Sequence, residues 1–521
     1  MRLPNNTLES MTPERNSRPR TLLILGASGD LTQRLLLPGL ASLVASEVPA
    51  DRDMVAGLRI VGSGRSERSR ADWQKQVNAA LAEAGVRAAD ARALVAAADY
   101  VVADPTSKAD LNRIIEGVRA GLIIYFALPP AIVLTVADTL SKLSAEATKV
   151  LDTAVLAVEK PFGSDSRSAA TLNRRLLRVV PEEQIHRVDH FLGMATVLNL
   201  VGLRFVNRLV EPVWNADNVE KVEIVYDEDL GLEGRAGYYD TSGALVDMLQ
   251  SHLLQVLSIV AMEAPASIDP VDFRAATAQV LRATEVWSGP PVLPGTSLPS
   301  RRARYTAGTV DGDARSGDSG SGDSRSADPR SGDSGSGEKG RGRSMPAYAK
   351  EKGVDPSRET ETLAELVVEV NTRRWAGVPF VLRSGKAIGV PRKEIILTLK
   401  PVGFVPRGLT GTERPERIVV GLKPSSVTLE LTMNGDGDPF GLDRHDLSAT
   451  LDAAPITAYG EVMRGVLGGD PTLSIRGDVA ETCWRIVAPV LNSWRRNEVP
   501  LEEYRAGSEG PAAWRRDITP R

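Results

Sequence analysis

The sequence predicts an α/β fold in two parts: a doubly wound N-terminal domain and a C-terminal α+β domain with a large antiparallel sheet. In the first 160 residues, short apolar runs alternate with helical stretches, which is typical of a parallel sheet covered on both faces. From about residue 189, apolar and polar residues alternate along the predicted strands, as expected where one sheet face is solvated.

The strands of the first domain are predicted from apolar runs and from the residues that end them. Four apolar runs, each ended by glycine, proline or a charged residue, are predicted strands: residues 21–25, 58–61, 122–128 and a run within 151–158. Helical stretches are predicted between these strands, such as the alanine-rich residues 80–98.

In the second domain, apolar and polar residues first alternate at residues 219–226, with the sequence VEKVEIVY, which predicts a strand. Helices are predicted at 244–262 and 481–496, where apolar residues recur with helical spacing. Further strands are predicted at 364–371, 379–382, 395–399, 417–422 and 427–433.

Composition excludes several classes of protein. The chain has 521 residues, a net charge of -4 and 5% aromatic residues, so nothing favours nucleic acid as a partner. Cys483 is the sole cysteine, which excludes an intrachain disulfide and agrees with a cytoplasmic location. The longest apolar stretch, residues 121–137, is interrupted by Pro129-Pro130 and is short for a membrane span, so no membrane association is expected.

The domain boundaries follow from these patterns. Residues 1–20 are predicted as a disordered tail, 21–188 as the first domain and 189–521 as the second. Residues 309–343 consist largely of Gly, Ser, Asp and Arg and twice contain the octet RSGDSGSG. Such a segment buries too little apolar surface to offset the entropy of ordering it, so it is predicted to be a flexible insert in the second domain.

A glycine-rich turn follows the first predicted strand and suggests a dinucleotide site. Its residues are Gly26, Ser28, Gly29 and Asp30, within the sequence GASGDL. Glycine lets the backbone approach a phosphate closely, and the following helix N-terminus supplies free N–H groups. The spacing is not the common G-x-G-x-x-G, and an ordinary strand-to-helix turn is the alternative interpretation.

The residue that follows the second strand bears on the cofactor. Arg65 stands where an arginine accommodates the 2′-phosphate of NADP, and it favours NADP. Glu67 lies close by and leaves NAD open.

Three further clusters carry chemical groups. The sequence RVDHFLGM contains the adjacent pair Asp189 and His190, a carboxylate and an imidazole suited to acid–base chemistry near neutral pH. Lys160, in EKPFG, follows a predicted strand at the sheet edge where ligands bind. Asp247 and His252 interrupt the apolar stripe of a predicted helix. Taken singly, a surface lysine and a structural histidine are the ordinary interpretations of Lys160 and His252.

Together these tracts resemble the glucose-6-phosphate dehydrogenase family. The resemblance covers the chain from about residue 21 to the region of Trp484 and leaves out the tail and the insert. The matching tracts, in family order, are GASGDL, YFALPP, AVEKPFG, RVDHFLG, LRFVNR, GALVDMLQSHLLQ and VPFVLRSGKA. The resemblance implies a Rossmann-type first domain and the oxidation of glucose 6-phosphate at C1 to a lactone with hydride transfer to NADP, the first step of the pentose phosphate pathway.

The resemblance also implies residue roles. His252 is the implied base for the C1 hydroxyl, and Asp189 orients it and stabilises its imidazolium. The implied cofactor residues are Gly26, Ser28, Gly29, Asp30, Arg65 and Lys160, and the implied substrate residues are Lys160, His190, the position of Met194, Glu228, Asp247 and Lys386. The family's large sheet implies a homodimer or homotetramer.

One position departs from the family. Where the family motif has a lysine that helps bind the substrate phosphate, this chain has Met194. A charge-assisted hydrogen bond contributes about 1.5–3 kcal/mol, so losing it weakens binding by about 10- to 100-fold unless another cation substitutes. Arg187, Arg392 and Lys393 are candidates for that cation.

Three functions remain open at this point. The first is a glucose-6-phosphate dehydrogenase with a rebuilt phosphate site, and the second is an NADP-linked dehydrogenase of another sugar or sugar phosphate. The third is a non-catalytic paralogue that binds a nucleotide or a partner. No metal site is expected, since His186 and His190 are predicted on a strand whose shared face has Val188, and no carboxylate, between them.

Overall fold

The structure of the protein is a computed structural model. It describes residues 20–118, 121–232, 234–310, 342–411, 414–435, 437–452 and 454–514. The predicted tail therefore lies outside the described residues, apart from Arg20. None of the helices in these ranges combines the length and the apolarity that a membrane span needs.

The chain forms two compact units. Unit 1 comprises residues up to Glu159 together with Arg174–His186 and Pro455–Pro471, and unit 2 comprises the segments Lys160–Asn173, Arg187–Ala454 and Thr472–Arg521. The units are interleaved along the chain, whereas the division predicted between residues 188 and 189 is a single cut. That division stays a prediction from the sequence.

The first sheet has six strands in the order β3-β2-β1-β4-β5-β6. They are β1 (Thr21–Leu25), β2 (Arg59–Gly64), β3 (Asp99–Val102), β4 (Leu122–Phe126), β5 (Val155–Glu159) and β6 (Ile185–Val188). The pairs β1–β2, β2–β3, β1–β4 and β4–β5 are parallel. The order reverses at β1, so ligands are expected outside the carboxyl end of this strand. The predicted doubly wound fold is confirmed.

The described helices of the first 176 residues lie between these strands. They are α1 (Leu37–Val44), α2 (Pro49–Val55), α3 (Arg70–Glu83), α4 (Ala88–Ala97), α5 (Lys108–Glu116), α6 (Pro130–Leu140), α7 (Ala145–Leu151) and α8 (Ser166–Leu176). The stretch predicted as helical at 80–98 is helical in two parts, because α3 ends at Glu83 and α4 begins at Ala88. Gly85, with φ of +70°, sits in the turn between them, and this conformation is one that glycine adopts readily.

A late segment of the chain belongs to unit 1. Its helix, numbered α13 in chain order (Ala458–Gly468), packs on α1. A Cβ on Gly39 would lie 2.7 Å from the Tyr459 side chain, so only glycine permits this approach. Arg464 donates to both carboxylate oxygens of buried Asp51, at 2.9 and 2.8 Å. This pairing attaches the late segment to the first helices.

Unit 2 contains a ten-stranded sheet in the order β17-β16-β15-β14-β7-β13-β12-β9-β18, with β8 beside β12. Its strands are β7 (Val219–Asp227), β8 (Thr284–Val286), β9 (Ser300–Thr306), β12 (Leu363–Val370), β13 (Pro379–Gly385), β14 (Lys393–Leu399), β15 (Arg417–Leu422), β16 (Ser425–Asn434), β17 (Leu442–Thr450) and β18 (Leu501–Arg505). Most pairs are antiparallel, as predicted, but β7–β13 and β9–β18 are parallel. The large sheet of an α+β domain is confirmed, with these two pairs making it mixed.

A two-stranded ribbon flanks the predicted insert. Strands β10 (Gly308–Val310) and β11 (Arg343–Met345) pair antiparallel. The first and last residues of the predicted insert therefore lie in strands, and residues 311–341 lie outside the described residues.

The helices of unit 2 cover the sheet and carry part of the site. They are α9 (Ala195–Phe205), α10 (Ala236–Tyr239), α11 (Leu254–Ala261), α12 (Asp272–Arg282) and α14 (Gly477–Arg495). A π-helical stretch, Leu245–Leu253, runs directly into α11, so the helix predicted at 244–262 is present but wound differently in its first half.

Candidate active site

The glycine turn of unit 1 follows β1 at the reversal point of the sheet. Gly26 has φ of +89°, and a Cβ there would lie 2.1 Å from the Ala127 carbonyl oxygen, so no other residue fits. The N–H groups of Gly26 and Ala27 donate to the Ser63 carbonyl at 2.9 and 3.0 Å. Ser28, Gly29 and Asp30 are exposed, and helical backbone begins at Asp30. The turn therefore combines a close-approach glycine with a helix start, as a dinucleotide site requires.

The end of β2 lies against the same turn. A Cβ on Gly64 would lie 3.3 Å from the Ser28 hydroxyl and 2.8 Å from that of Tyr100, so glycine keeps this corner open. Arg65 follows directly and is exposed. Arg68 lies with its guanidinium 5.8 Å from the ring centroid of Tyr100. The predicted cofactor residues of unit 1 are thus neighbours at one sheet edge.

In unit 2, the side chains of Asp189 and His252 are hydrogen-bonded to each other. Asp189 Oδ1 lies 2.5 Å from His252 Nδ1, and the two residues are 1% and 2% exposed. Oδ1 also accepts the N–H of Phe191 at 3.0 Å, which fixes the orientation of the carboxylate. The other oxygen, Oδ2, has no hydrogen-bond partner among the described residues. The sequence placed these two residues in separate motifs, and the fold makes them a pair.

The helix geometry places His252 and Asp247 together. Both lie in the π-helical stretch Leu245–Leu253, in which backbone hydrogen bonds join residues five apart. Residues 247 and 252 have that separation, so a π-helix brings them onto one face, whereas an α-helix would turn them apart. Short π-helical stretches are often found at functional sites for this reason.

The charge states of the pair follow from burial and from each other. Burial would raise the pKa of Asp189, but His252 outweighs it and the pKa is lowered. Burial lowers the pKa of His252 below its ordinary value of 6.5, and Asp189 offsets this only in part. At pH 7 the carboxylate is charged and the imidazole is neutral. Since a carboxylate only accepts, Nδ1 carries the proton, and Nε2 has a free lone pair.

Two aromatic rings hold the imidazole of His252 in place. Phe191 stacks on it, with ring centroids 4.2 Å apart and an interplanar angle of 12°. His190 meets it edge-on, with centroids 4.8 Å apart. Burial, followed by the neighbouring His252, lowers the pKa of His190, which is therefore neutral at pH 7. His190 thus contacts the pair as a hydrogen-bonding group and not as a cation.

A lysine and an aspartate form an ion pair beside this cluster. Lys160 Nζ lies 2.9 Å from Asp247 Oδ1 and 2.7 Å from the Asp247 backbone oxygen. Burial would raise the pKa of Asp247, but Lys160 and then Lys386 lower it strongly, so the carboxylate stays charged. Lys160 and Asp247 also act electrostatically on His252, so all three lie within range of one another.

A second ion pair joins Lys386 and Glu228. Glu228 follows β7 and Lys386 follows β13, and these strands are parallel neighbours, so the two side chains meet at one sheet edge. The Glu228 N–H donates to the Gly385 carbonyl at 2.8 Å. Burial would lower the pKa of Lys386, but Glu228 and Asp247 raise it, so it remains a cation.

Met194 is half-buried at the start of α9, of which it is the N-cap. Its backbone N–H donates to the Phe191 carbonyl, and its own carbonyl accepts from Val197 and Leu198. Of the candidate replacement cations, Arg187 is fully buried and donates to Asn173 at 3.0 Å and to the Ile475 carbonyl at 3.3 Å.

Arg392 and Lys393 are the other two candidates. Arg392 lies 3.7 Å from Glu394, and Lys393 Nζ lies 5.0 Å from the ring centroid of Tyr226. The Tyr226 ring in turn contacts Phe191, with centroids 4.8 Å apart, and Phe191 stacks on His252. Two aromatic rings, those of Tyr226 and Phe191, therefore lie between Lys393 and His252.

Two features of the candidate site were not predictable from the sequence. Phe191 was quoted within a motif, yet its contacts with Asp189 and His252 could not be read from the sequence. Ala387 has φ of +52° and is fully buried, a strained backbone that follows directly on Lys386. Glycine or asparagine would have signalled a positive φ, because these residue types adopt it readily, and alanine gives no such signal.

Asp189, His190 and His252 also merit a test as metal ligands. Their candidate ligand atoms lie within 4.8 Å of one another. Asp189 Oδ1 is already hydrogen-bonded to His252 Nδ1, so a metal bound through these two atoms would replace the hydrogen bond that orients the imidazole. The predicted absence of a metal stays a prediction.

A glycine turn at the reversal point of a doubly wound sheet and a buried carboxylate–histidine pair define a class of protein. Both features are typical of dehydrogenases that use a nicotinamide dinucleotide.

The comparisons with known proteins agree with this class. Residues 23–199 match the glucose-6-phosphate dehydrogenase NAD binding domain, and residues 201–519 match the C-terminal domain of the same enzyme. The chain belongs to the glucose-6-phosphate dehydrogenase family, so the resemblance seen in the sequence is confirmed.

Several relatives match over nearly their full length. Glucose-6-phosphate 1-dehydrogenase of Gluconobacter oxydans is 33% identical over 95% of this chain and 94% of its own, and that of Treponema pallidum is 32% identical over 95% and 92%. A solved glucose-6-phosphate dehydrogenase in complex with its substrate glucose-6-phosphate has a TM-score of 0.76 and 25% identity, with 95% of this chain and 96% of that chain covered.

Proposed function

We propose that this chain oxidises glucose 6-phosphate at C1 to 6-phosphoglucono-lactone, with NADP as the hydride acceptor, as the first step of the pentose phosphate pathway. The observation that carries the proposal is the buried Asp189–His252 pair, with a neutral imidazole and an oriented carboxylate. In the reaction, the C1 hydroxyl gives its proton to His252 Nε2, the C1 hydrogen leaves as hydride, and C1 gains a double bond to oxygen. Asp189 then stabilises the imidazolium that has formed.

The two ion pairs supply groups for the sugar. Asp247 and Glu228 offer carboxylate oxygens to sugar hydroxyls, and Lys160 and Lys386 offer ammonium donors. In the free protein these groups satisfy one another, so they stay charged and in place before substrate binds. His190, a neutral neighbour of His252, is a further hydrogen-bonding group, which we assign to the substrate phosphate.

A bound nicotinamide dinucleotide would supply the hydride acceptor, and Gly26, Ser28, Gly29 and Asp30 of unit 1 would hold its phosphates. Gly26 and Gly64 are positions where a Cβ would fill the space that a closely approaching ligand needs. Arg65 is exposed beside this turn, and its charge suits the 2′-phosphate of NADP. Lys160 is the residue of unit 2 that we assign to both cofactor and substrate.

Steady-state kinetics with two sugars and two cofactors test the function. We expect NADPH formation with glucose 6-phosphate, and a larger kcat/KM for NADP than for NAD. Activity with another sugar or sugar phosphate, but not with glucose 6-phosphate, would favour the alternative of an NADP-linked dehydrogenase with a different substrate. This alternative is considered because Met194 stands where the family has a phosphate-binding lysine. If no sugar yields NADPH or NADH, the remaining hypothesis is a non-catalytic paralogue.

The phosphate site is tested by Met194→Lys. We expect the KM for glucose 6-phosphate to fall by about 10- to 100-fold, because a charge-assisted hydrogen bond contributes about 1.5–3 kcal/mol. Glucose, which lacks the phosphate, is the control substrate, and its KM should not change. An unchanged KM for glucose 6-phosphate would show that another cation, such as Lys393, already serves the phosphate.

The cofactor preference is tested by Arg65→Ala. We expect the KM for NADP to rise by about tenfold or more and the KM for NAD to stay the same, since only NADP carries the 2′-phosphate. Arg68→Ala is the matched control, because Arg68 is nearby but faces Tyr100 and Gln76. Equal effects of the two substitutions on NADP would contradict a specific role for Arg65.

We also propose that the protein assembles through the large sheet. Strand β17 is the last strand at one end of the sheet, and Leu447 on it and Met433 on β16 are about half exposed, at 56% and 50%. Apolar side chains on a sheet end favour pairing with a second copy. A solution mass above 55.9 kDa, the mass of one chain, would support a dimer or tetramer. A cytoplasmic location remains the expectation from the single cysteine.

A further inference from the structure

Glu361 is a buried carboxylate that no step of the proposed reaction uses. It lies just before β12 and is 6% exposed. Its Oε1 accepts the Leu245 N–H at 2.9 Å, and its backbone carbonyl accepts the Ala244 N–H at 3.2 Å. Both N–H groups belong to the start of the helix that carries Asp247 and His252, where amides lack partners within the helix.

The carboxylate of Glu361 also packs against Gly243. This glycine has φ of +69°, and a Cβ there would lie 2.4 Å from Glu361 Oε1. The chain therefore leaves space at Gly243 for the acid to reach the helix start.

The residue after Glu361 holds another part of the site. The Lys386 N–H donates to the Thr362 carbonyl at 2.9 Å. Tyr504 donates its hydroxyl to the Lys386 carbonyl at 2.6 Å and lies 3.0 Å from the Thr362 hydroxyl. One short segment thus contacts the start of the helix with Asp247 and His252 on one side and the backbone of Lys386 on the other.

We propose that Glu361 is a positioning residue, whose carboxylate fixes the start of the helix bearing Asp247 and His252 relative to Lys386. The inference rests on the proposed function, because it assigns Glu361 to the same sugar-oxidising site. A carboxylate suits this place, since the helix N-terminus carries partial positive charge and a charged acceptor binds an amide more strongly than a neutral one.

The pKa of Glu361 is raised toward neutral pH. Burial raises its pKa to about 7, and the Leu245 amide limits the rise. The charged or titratable groups that face it are Arg302 on β9, Tyr239 on α10 and Tyr348 after β11. Because the pKa is raised, the carboxylate is present above pH 7 and is lost as the pH falls below it. Protonation removes the charge from the oxygen that accepts the Leu245 N–H, so this hydrogen bond should weaken over the same interval.

The test is Glu361→Gln, which keeps an acceptor oxygen but removes the charge. At pH 8 we expect kcat with glucose 6-phosphate to fall by about tenfold, with the KM changed by less than about threefold. At pH 6 the variant and the wild type should have similar kcat, because both are then neutral at this position. The wild type should therefore show a partial fall in kcat near pH 7 that the variant lacks.

The matched control is Glu359→Gln. Glu359 lies two residues earlier and is paired with Arg302 at 3.3 Å, but its side chain is 47% exposed and, among the described residues, accepts from no helix amide. The Glu359→Gln substitution should leave kcat and the pH profile unchanged. A similar fall in both variants, or an unchanged kcat in Glu361→Gln, would overturn the inference. Should Glu361→Gln not fold, a wild-type profile without the partial fall near pH 7 would overturn it equally.

Hydrogen–deuterium exchange separates this inference from the proposed function. We expect residues 243–253 to exchange about tenfold faster in Glu361→Gln than in the wild type or in Glu359→Gln. If the wild type oxidises no sugar but the exchange result holds, the proposed function fails and the structural part of the inference stands. If the wild type is active and neither exchange nor kcat changes, the inference alone fails.

Discussion

Replacing the proposed base, as His252→Gln, should lower kcat for glucose 6-phosphate by about 10²- to 10⁴-fold, the range in which general bases contribute. The KM should change little, because Asp247, Glu228 and the two lysines remain. Glutamine fills similar space and accepts a hydrogen bond, but it takes up no proton. The measurement is the initial rate of NADPH formation at pH 8.

His445→Gln is the matched control, because His445 is exposed on β17. A loss of similar size in both variants, or a residual kcat within tenfold of the wild type in His252→Gln, would remove His252 from its role. The wild-type pH profile gives an independent check. Because burial lowers the pKa of His252, its protonation should abolish activity only below pH 6.5, beneath the partial fall near pH 7 assigned to Glu361.

Replacing Asp189 by asparagine should lower kcat by about 10- to 10³-fold. Oδ1 accepts from both Phe191 and His252, and Oδ2 has no partner among the described residues. An asparagine can therefore place its oxygen at Oδ1 and its amide group at Oδ2, which preserves the tautomer of His252. The substitution therefore removes only the negative charge of residue 189. Because a neighbouring charge changes a pKa by about 1–3 units, we expect the fall in kcat to be about 10- to 10³-fold.

Asp189→Ala is the companion variant, since it removes the orienting acceptor as well as the charge. We expect its kcat to be a further tenfold or more below that of Asp189→Asn. Equal values in the two variants would mean that orientation contributes nothing beyond charge. A wild-type kcat in Asp189→Asn would mean that the charge does not stabilise the imidazolium. Circular dichroism on both proteins controls for misfolding.

Most of the fold was predictable because it depends on local patterns. The apolar runs at β1, β4 and β5 were read correctly, since strands buried on both faces are continuously apolar. The short strand β3 was missed, and the parallel pairing of β7 with β13 was not foreseen. Alternation reveals which face of a strand is buried, but it does not identify the neighbouring strand or its direction.

The return of α13 to unit 1 was also beyond the sequence. Tyr459 and Arg464 meet Gly39 and Asp51 across more than 400 positions of the chain. An amphipathic helix shows that it is half-buried, but not which surface covers it.

The sequence by itself determined the two fold classes, the glycine turn and the identities of the chemical groups, because these are properties of residue type and spacing. Only the tertiary structure shows which groups meet, although the family resemblance had implied that Asp189 orients His252. Asp189 and His252 are 63 positions apart and form one hydrogen bond, Glu228 and Lys386 meet because their strands are parallel neighbours, and the π-helical winding turns Asp247 and His252 to one face. The physical reason is that proximity between distant residues depends on strand order and helix winding, which are set by the packing of the whole unit and not by any local pattern.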